Sequence, residues 1–300
     1  MTATATAETG RAPEQLVAVP VRHPWRWVSA VAVLVLLALL VRAFAGSSIQ
    51  WGTTGHYLTF GTIVSGAGKT LLISVVAQAL GVALGVLFAV GRQSRNPVTS
   101  GVSWLYIWFF RGTPVLLQLL IWFNLALIFP TILGQDTNSL MTPFIAALLG
   151  LGINEGAYMA EIVRAGLSSV DEGQTEAAQA LGMPRGLVLR RIVLPQAMRV
   201  IVPPTGNEFV NMLKTSSLAY AIQYGELVRA ATNISSTNLQ VVELYFTVAI
   251  WYLVLTSIFS VFQYYLERRF SRGASRSLPD TPLQRIRTNL RFGRHEGAAL

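Results

Sequence analysis

Along this chain, long and predominantly apolar stretches alternate with more polar intervals. Six such runs can be read, at Trp27–Ala45 and at residues 63–90, 102–129, 143–162, 201–222 and 242–266. Each is near or above the roughly 20 residues that a membrane-crossing helix needs. Backbone N–H and C=O groups find no water within lipid, so the runs predict helices. The short alternating segments of a membrane barrel are absent. The fold class that follows is all-α: a polytopic membrane helical bundle of about six transmembrane helices.

The first run follows basic residues and ends in "AFAGSS", where Ala43-Phe44-Ala45 has the form of a signal-peptidase site. Arg42 stands beside that site, and the leading arm, residues 1–26, contains Glu8 and Glu14, unlike a secretory signal. The expectation is an uncleaved anchor helix at 27–45. Arginines gather in alternate intervals: Arg11, Arg22 and Arg26 in the arm, Arg92 and Arg95, then Arg185, Arg190, Arg191 and Arg199, and finally a basic tail at 271–300. Residues 46–60 and 131–141 have neither Lys nor Arg, and 225–240 has Arg229 alone. The positive-inside rule places both termini in the cytoplasm.

Composition sharpens this picture. Charged residues make up 12% of the chain, against roughly 25% in soluble domains. The net charge of +9 comes from arginines between apolar runs, with no nucleic-acid-binding module, so nucleic acid is not the expected partner. There is no cysteine, which removes disulfides, thiolate metal sites and cysteine catalysis. His23, His56 and His295 are isolated and carry no metal-ligand spacing. No nucleophile elbow or zinc signature occurs, and no enzymatic activity is expected.

The stretch "GTIVSGAGKTLLIS" contains a GKT tripeptide of the kind found in phosphate loops. That motif requires G-x-x-x-x-G-K-[ST] between a strand and a helix. Counting back from Gly68, the first glycine falls on Ile63, and Gly61 is two positions too early. This chain is expected to bind no ATP itself.

Ionisable groups inside membrane spans are costly and face a bundle interior or an aqueous path. Asn154, Tyr158 and Glu161 recur at i, i+4 and i+7 on one helical face, with Glu161 able to meet Arg164 or, alternatively, Lys214. Asn207, Asn211 and Lys214 repeat the spacing, with Glu208 on an adjacent face and Ser216 just beyond. These eight residues are the candidate substrate pathway. Thr113 precedes Pro114 and is pushed out of helical geometry. An interfacial segment at 102–110, a break at 112–114 and a crossing from 115 to about 129 are expected, with Arg111 snorkelling to water.

In the longest polar interval, Glu176, Ala177 and Ala178 are followed by Gly182 and, after nine intervening residues, by Ile192, Leu194 and Pro195. The alanines keep a helix slim enough to enter a partner's groove, Gly182 permits a sharp turn, and Pro184 and Pro195 restrict helix boundaries. This EAA-x3-G-x9-I-x-L-P spacing resembles the cytoplasmic coupling loop of ABC importer permeases. The flanking stretches "FFRGTPVLLQLL", "NEGAYMAEIVRAGL", "DEGQTEAAQALGM" and "NEFVNMLKTSSLAYAI" narrow the resemblance to permeases for polar amino acids, the histidine/glutamine/glutamate group, from about residue 61 to 270.

The resemblance implies a five-helix type I importer core at 61–270, with Trp27–Ala45 as an additional helix and the coupling loop at about 165–200. It aligns Thr70 and Leu71 with the start of the first core helix and assigns the GKT stretch to helix initiation. It further implies a separate cytoplasmic ABC ATPase holding ATP and Mg²⁺, a second permease subunit, identical or homologous, and an extracytoplasmic amino-acid-binding protein. No cofactor is expected on this chain. An ion-gradient-driven secondary transporter working without an ATPase is the alternative, but the interrupted helices of two matching halves are not evident.

Overall fold

The computed structural model describes residues 24–270. The arm up to residue 23 and the basic tail at 271–300 lie outside the described residues. Two units are distinguished, one ending at Ile49 and one beginning at Gln50. In the first, α1 (Pro24–Ala45) is apolar on all sides and its described side chains are exposed, as suits a helix solvated by lipid.

The second unit contains α2 (Trp51–Leu58), α3 (Gly61–Arg92), α4 (Pro97–Gly112), α5 (Val115–Phe123), α6 (Thr137–Leu140), α7 (Pro143–Ser168), α8 (Glu172–Ala180), α9 (Arg185–Val188), α10 (Leu194–Thr215), α11 (Leu227–Asn238) and α12 (Val241–Phe270). A two-residue antiparallel hairpin, Thr131–Ile132 with Gln135–Asp136, is the described sheet structure. Three helices, α1, α3 and α12, are long and apolar enough to cross a bilayer, or four spans when the bent pair α4–α5 counts as one. The fourth and fifth runs become α7 and α10, whose interiors carry the polar side chains singled out above.

The centre of the unit is the long contact of α3 with α7. Small residues let the two backbones approach: a Cβ on Gly85 would stand 2.9 Å from the Met159 carbonyl carbon and 3.1 Å from the Ala160 nitrogen. In lipid no hydrophobic force draws helices together, so dispersion across such close contacts carries the association. Ile73, Leu119, Leu151, Met212 and Ile222 fill one core between α3, α5, α7 and the end of α10, while Ile63, Leu227 and Leu244 fill another between α3, α11 and α12.

The run 102–129 is not a single crossing from 115 onward. Asn96 caps α4 by accepting from the Val98 N–H, and the helix ends at extended Thr113 before Pro114. From there α5 departs at 103°. It is nine residues long, about 14 Å, and gives way to a single 3-10 turn at Leu125–Leu127. Such a segment is too short to cross alone, and it reaches the length and apolarity of a span only when counted together with α4.

The opening of α3 also departs from expectation. The helix begins at Gly61, and the GKT tripeptide lies inside it. Packing explains the earlier start: Ile63, Gly66 and Ala67 are buried, and Gly66 sits against Ala230 and Leu227 of α11. Tertiary contact overrides the weak helix propensity of three glycines.

Candidate functional site

Between the middle of α7 and the C-terminal turns of α10, side chains of both signs line a cavity of about 610 Å³. Asn154, Glu155 and Tyr158 of α7 face Glu208, Asn211 and Lys214 of α10, with Ser217 from the following 3-10 segment. Five of the eight pathway residues read from sequence therefore share this chamber. Of the other three, Glu161 lines a different cavity. Asn207 is exposed and lines neither, and Ser216 is fully buried with its hydroxyl on the Leu213 carbonyl, 2.8 Å.

Glu155 is the residue that the sequence reading missed. It is buried, and its carboxylate accepts from Gln78 of α3 at 3.0 Å. One position from Asn154, it falls on the helix flank that faces α3, outside an i, i+4 search. The available signal was its charge in the middle of an apolar run.

Asn154 lines the chamber while bracing its wall. Its amide donates to the Phe110 carbonyl at 2.7 Å. Gln118 donates to the same carbonyl (3.1 Å) and to the Thr113 hydroxyl (2.7 Å). The carbonyls freed by the α4–α5 break thus find side-chain donors, as buried backbone groups must.

Beyond Tyr158 lies a second cavity, a vestibule of about 850 Å³, lined by Arg92, Arg111, Glu161 and Arg164 together with Trp104 and Trp108. Glu161 pairs with Arg164 at 2.7 Å, one of the two partners considered, and not with Lys214. Arg111 stacks on the Tyr158 ring, 5.2 Å from its centroid, rather than only snorkelling to water. A third cavity of about 600 Å³ between α3, α7, α10 and α12 is almost wholly apolar and offers a charged substrate no ion partner.

The loop between α7 and α10 is a helical elbow. Asp171 caps α8 by accepting from the Gly173 N–H. At the other end, Gly182 N–H donates to the Gln179 carbonyl (2.9 Å) and Met183 N–H to the Ala178 carbonyl (3.1 Å), closing a Schellman turn. Gly182 has φ +78°, the left-handed geometry that such a turn demands, with open space where a Cβ would stand. Ala178 is buried, whereas Glu176, Ala177 and Leu181 are exposed, Leu181 to 84%. Pro184 precedes α9 as its N-cap, and a π-helical turn at Leu189–Val193 leads without interruption into α10. Pro195 therefore does not open a separate helix. The wide turn before it, which includes Ile192, accommodates the hydrogen bond that proline cannot make. Ile192 is half-buried; Leu194 and Pro195 are exposed.

Around the GKT tripeptide, the Thr70 hydroxyl accepts from the Leu227 N–H (3.1 Å), and the Lys69 carbonyl accepts from the Tyr224 hydroxyl (3.2 Å). The stretch anchors α11 rather than starting a helix. Glu226, also unforeseen, caps α11 through the Val228 and Arg229 N–H groups and accepts from Tyr252 at 3.0 Å. Helical backbone at 68–70 leaves no cradle of free N–H groups for phosphate. Among the described residues, no group of three or more His, Cys, Asp or Glu is placed to hold a metal.

Residues 81–272 match the family described as binding-protein-dependent transport system inner membrane component. The chain is 46% identical over 273 residues to the arginine transport system permease protein ArgU of Corynebacterium glutamicum, covering 89% of this chain and 86% of the relative. It is 36% identical to the glutamine transport system permease protein GlnP of Escherichia coli over 69% of this chain and 92% of that one. A solved structure described as an amino acid ABC transporter with histidines superposes with a TM-score of 0.66 at 35% identity, covering 74% of this chain and all (100%) of the other. A methionine ABC transporter, MetNI, in an inward-facing form shares the fold at 20% identity and a TM-score of 0.57, over 70% of this chain and 97% of that one. A polytopic helical membrane protein with these relatives is a transport subunit and not an enzyme, and the chain belongs to the family of inner-membrane components of binding-protein-dependent transport systems.

Proposed function

We propose that this chain is the permease subunit of an ATP-driven importer that brings a polar amino acid with a cationic side chain into the cytoplasm. The observation that carries this reading is the chamber in which Glu155 and Glu208 face Lys214. A free amino acid carries one carboxylate and at least one ammonium group, and a cationic side chain adds a second positive centre. Two carboxylates and one lysine complement that charge pattern. The relative at 46% identity is named for arginine transport, which agrees in sign.

In this reading, Asn154, Tyr158, Glu208, Asn211 and Lys214, with Glu155, form the substrate path. Glu161, Asn207 and Ser216 support the path's walls and approaches. The loop from Glu176 to Pro195 docks on a cytoplasmic ABC ATPase, with Glu176, Ala177, Ala178, Gly182, Ile192, Leu194 and Pro195 forming or presenting the contact. ATP and Mg²⁺ reside on that partner. A second permease subunit completes the path, a binding protein delivers substrate from outside, and both termini lie in the cytoplasm.

Purified complex in proteoliposomes, given a panel of amino acids, tests the reading. Uptake of arginine or lysine that requires ATP and the ATPase subunit is expected. Uptake driven by an ion gradient without the ATPase would replace this reading with a secondary transporter.

A further inference from the structure

Tyr158 lines both the chamber and the vestibule, and Arg111 lies over its ring. At 5.2 Å from the centroid, the guanidinium is inside the roughly 6 Å over which a ring face attracts a cation. The geometry is held from both sides. Arg111 is the penultimate residue of α4. The carbonyl just before it is fixed by Asn154, one turn from Tyr158 on the same face of α7. Gln118 secures the backbone just after it through Thr113. The two compartments differ in charge: Glu155 and Glu208 oppose one lysine in the chamber, while Arg92, Arg111 and Arg164 oppose one carboxylate, Glu161, in the vestibule.

We propose that Arg111 on Tyr158 is a cation-exchange latch between chamber and vestibule, opened when the substrate's cationic group takes the ring face from Arg111. One ring face holds one cation closely, because a second would meet like-charge repulsion at contact distance. A guanidinium or ammonium group arriving from the chamber offers the ring the same interaction that Arg111 gives up. The released Arg111 then has the substrate's own carboxylate as partner. A neutral side chain offers no such exchange, so the latch discriminates by charge. The proposal rests on the reading of the substrate as a cationic amino acid.

The test uses the whole complex in oriented membrane vesicles. Because the chain has no cysteine, Ser217→Cys reports on the chamber and Ser168→Cys on the vestibule. A small neutral thiol reagent is added on the side from which Ser168→Cys is modified. Native protein should protect Ser217→Cys. Tyr158→Leu and Arg111→Gln, which remove ring or cation, should speed its modification on the order of ten-fold. Tyr158→Phe and Arg111→Lys retain ring and cation and should keep protection. Unchanged Ser168→Cys labelling in every variant controls for folding. Arginine or lysine should also speed labelling at Ser217→Cys, while glutamine should not. One rate across all variants, or equal acceleration by glutamine, overturns the latch. Failure of the transport reading registers separately, in the uptake panel of the native complex.

Discussion

Gln78 on α3 donates its side-chain amide to the Glu155 carboxylate on α7 at 3.0 Å, and both residues are buried. The bond crosses the long contact of α3 with α7 and holds one carboxylate oxygen at the chamber wall. An ionisable group kept at such depth is expensive, which points to use rather than to scaffolding.

Glu155→Gln keeps the volume and removes the ionisable carboxyl group. Hydrogen bonds to a charged group contribute about 1.5–3 kcal/mol, so uptake of arginine or lysine should fall roughly ten-fold or more, at about 1.4 kcal/mol per decade. Uptake of a neutral amino acid, if measurable, should fall less. Initial rates in proteoliposomes, normalised to permease, check this. Equal losses for both substrates would return Glu155 to a structural role.

What the sequence disclosed, and what it hid, follows from the range of the forces involved. A sharp turn at Gly182 was legible because a glycine after a short helical stretch is local chemistry. The face shared by Asn154 and Tyr158 was legible because helical period alone sets it. Glu155 was not, since its burial depends on α3, distant in sequence. The start of α3 was misjudged for the same reason: Gly66 reads as a breaker until α11 is seen against it. Likewise, the short reach of α5 is set by Asn124 and the turn beyond, where an apolar run alone suggested continuity.

Two glycine substitutions on α3 should act in opposite directions. Gly85→Ala drives a methyl group against the backbone of Met159 and Ala160, which cannot rotate aside. Overpacking of this kind costs about 1–3 kcal/mol. Gly68→Ala meets nothing within 4 Å and gains about 0.8–1 kcal/mol of helix propensity. Thermal unfolding of the purified protein in detergent should show Gly85→Ala shifted down and Gly68→Ala unchanged or raised. A common direction would contradict the packing assigned to this interface.

The purified permease without its partners should not be labelled by an azido-ATP analogue. The GKT backbone is helical, its lysine carbonyl accepts from the Tyr224 hydroxyl, and its threonine hydroxyl accepts from the first N–H of α11. Saturable labelling that disappears in Lys69→Ala would overturn this.

Orientation is open to a direct measurement. Arginine bias places Ser48 outside and Ser169 inside. In intact cells, an impermeant maleimide should modify Ser48→Cys and spare Ser169→Cys. The reverse pattern would invert the proposed direction of transport.

Gly182 separates backbone geometry from side-chain bulk in coupling. Its φ of +78° and the open space around it mean that a substituent meets a conformational penalty but no clash within the chain. For most L-residues the left-handed region costs about 1–2 kcal/mol, whereas asparagine tolerates it. Gly182→Val should therefore distort the turn that presents Ala177 and Leu181, lowering both ATPase recovery and uptake. Gly182→Asn should retain most of both if geometry alone matters. Gly182→Asp adds a charge that an apolar groove would have to desolvate without a partner, so it should fail even though its backbone preference is close to that of asparagine. The spans are untouched, and all three variants should reach the membrane in native amounts. Pull-down of the ATPase from detergent, run beside uptake and normalised to permease, distinguishes the three. Native recovery and uptake in both Gly182→Val and Gly182→Asp would mean that this elbow does not contact the ATPase.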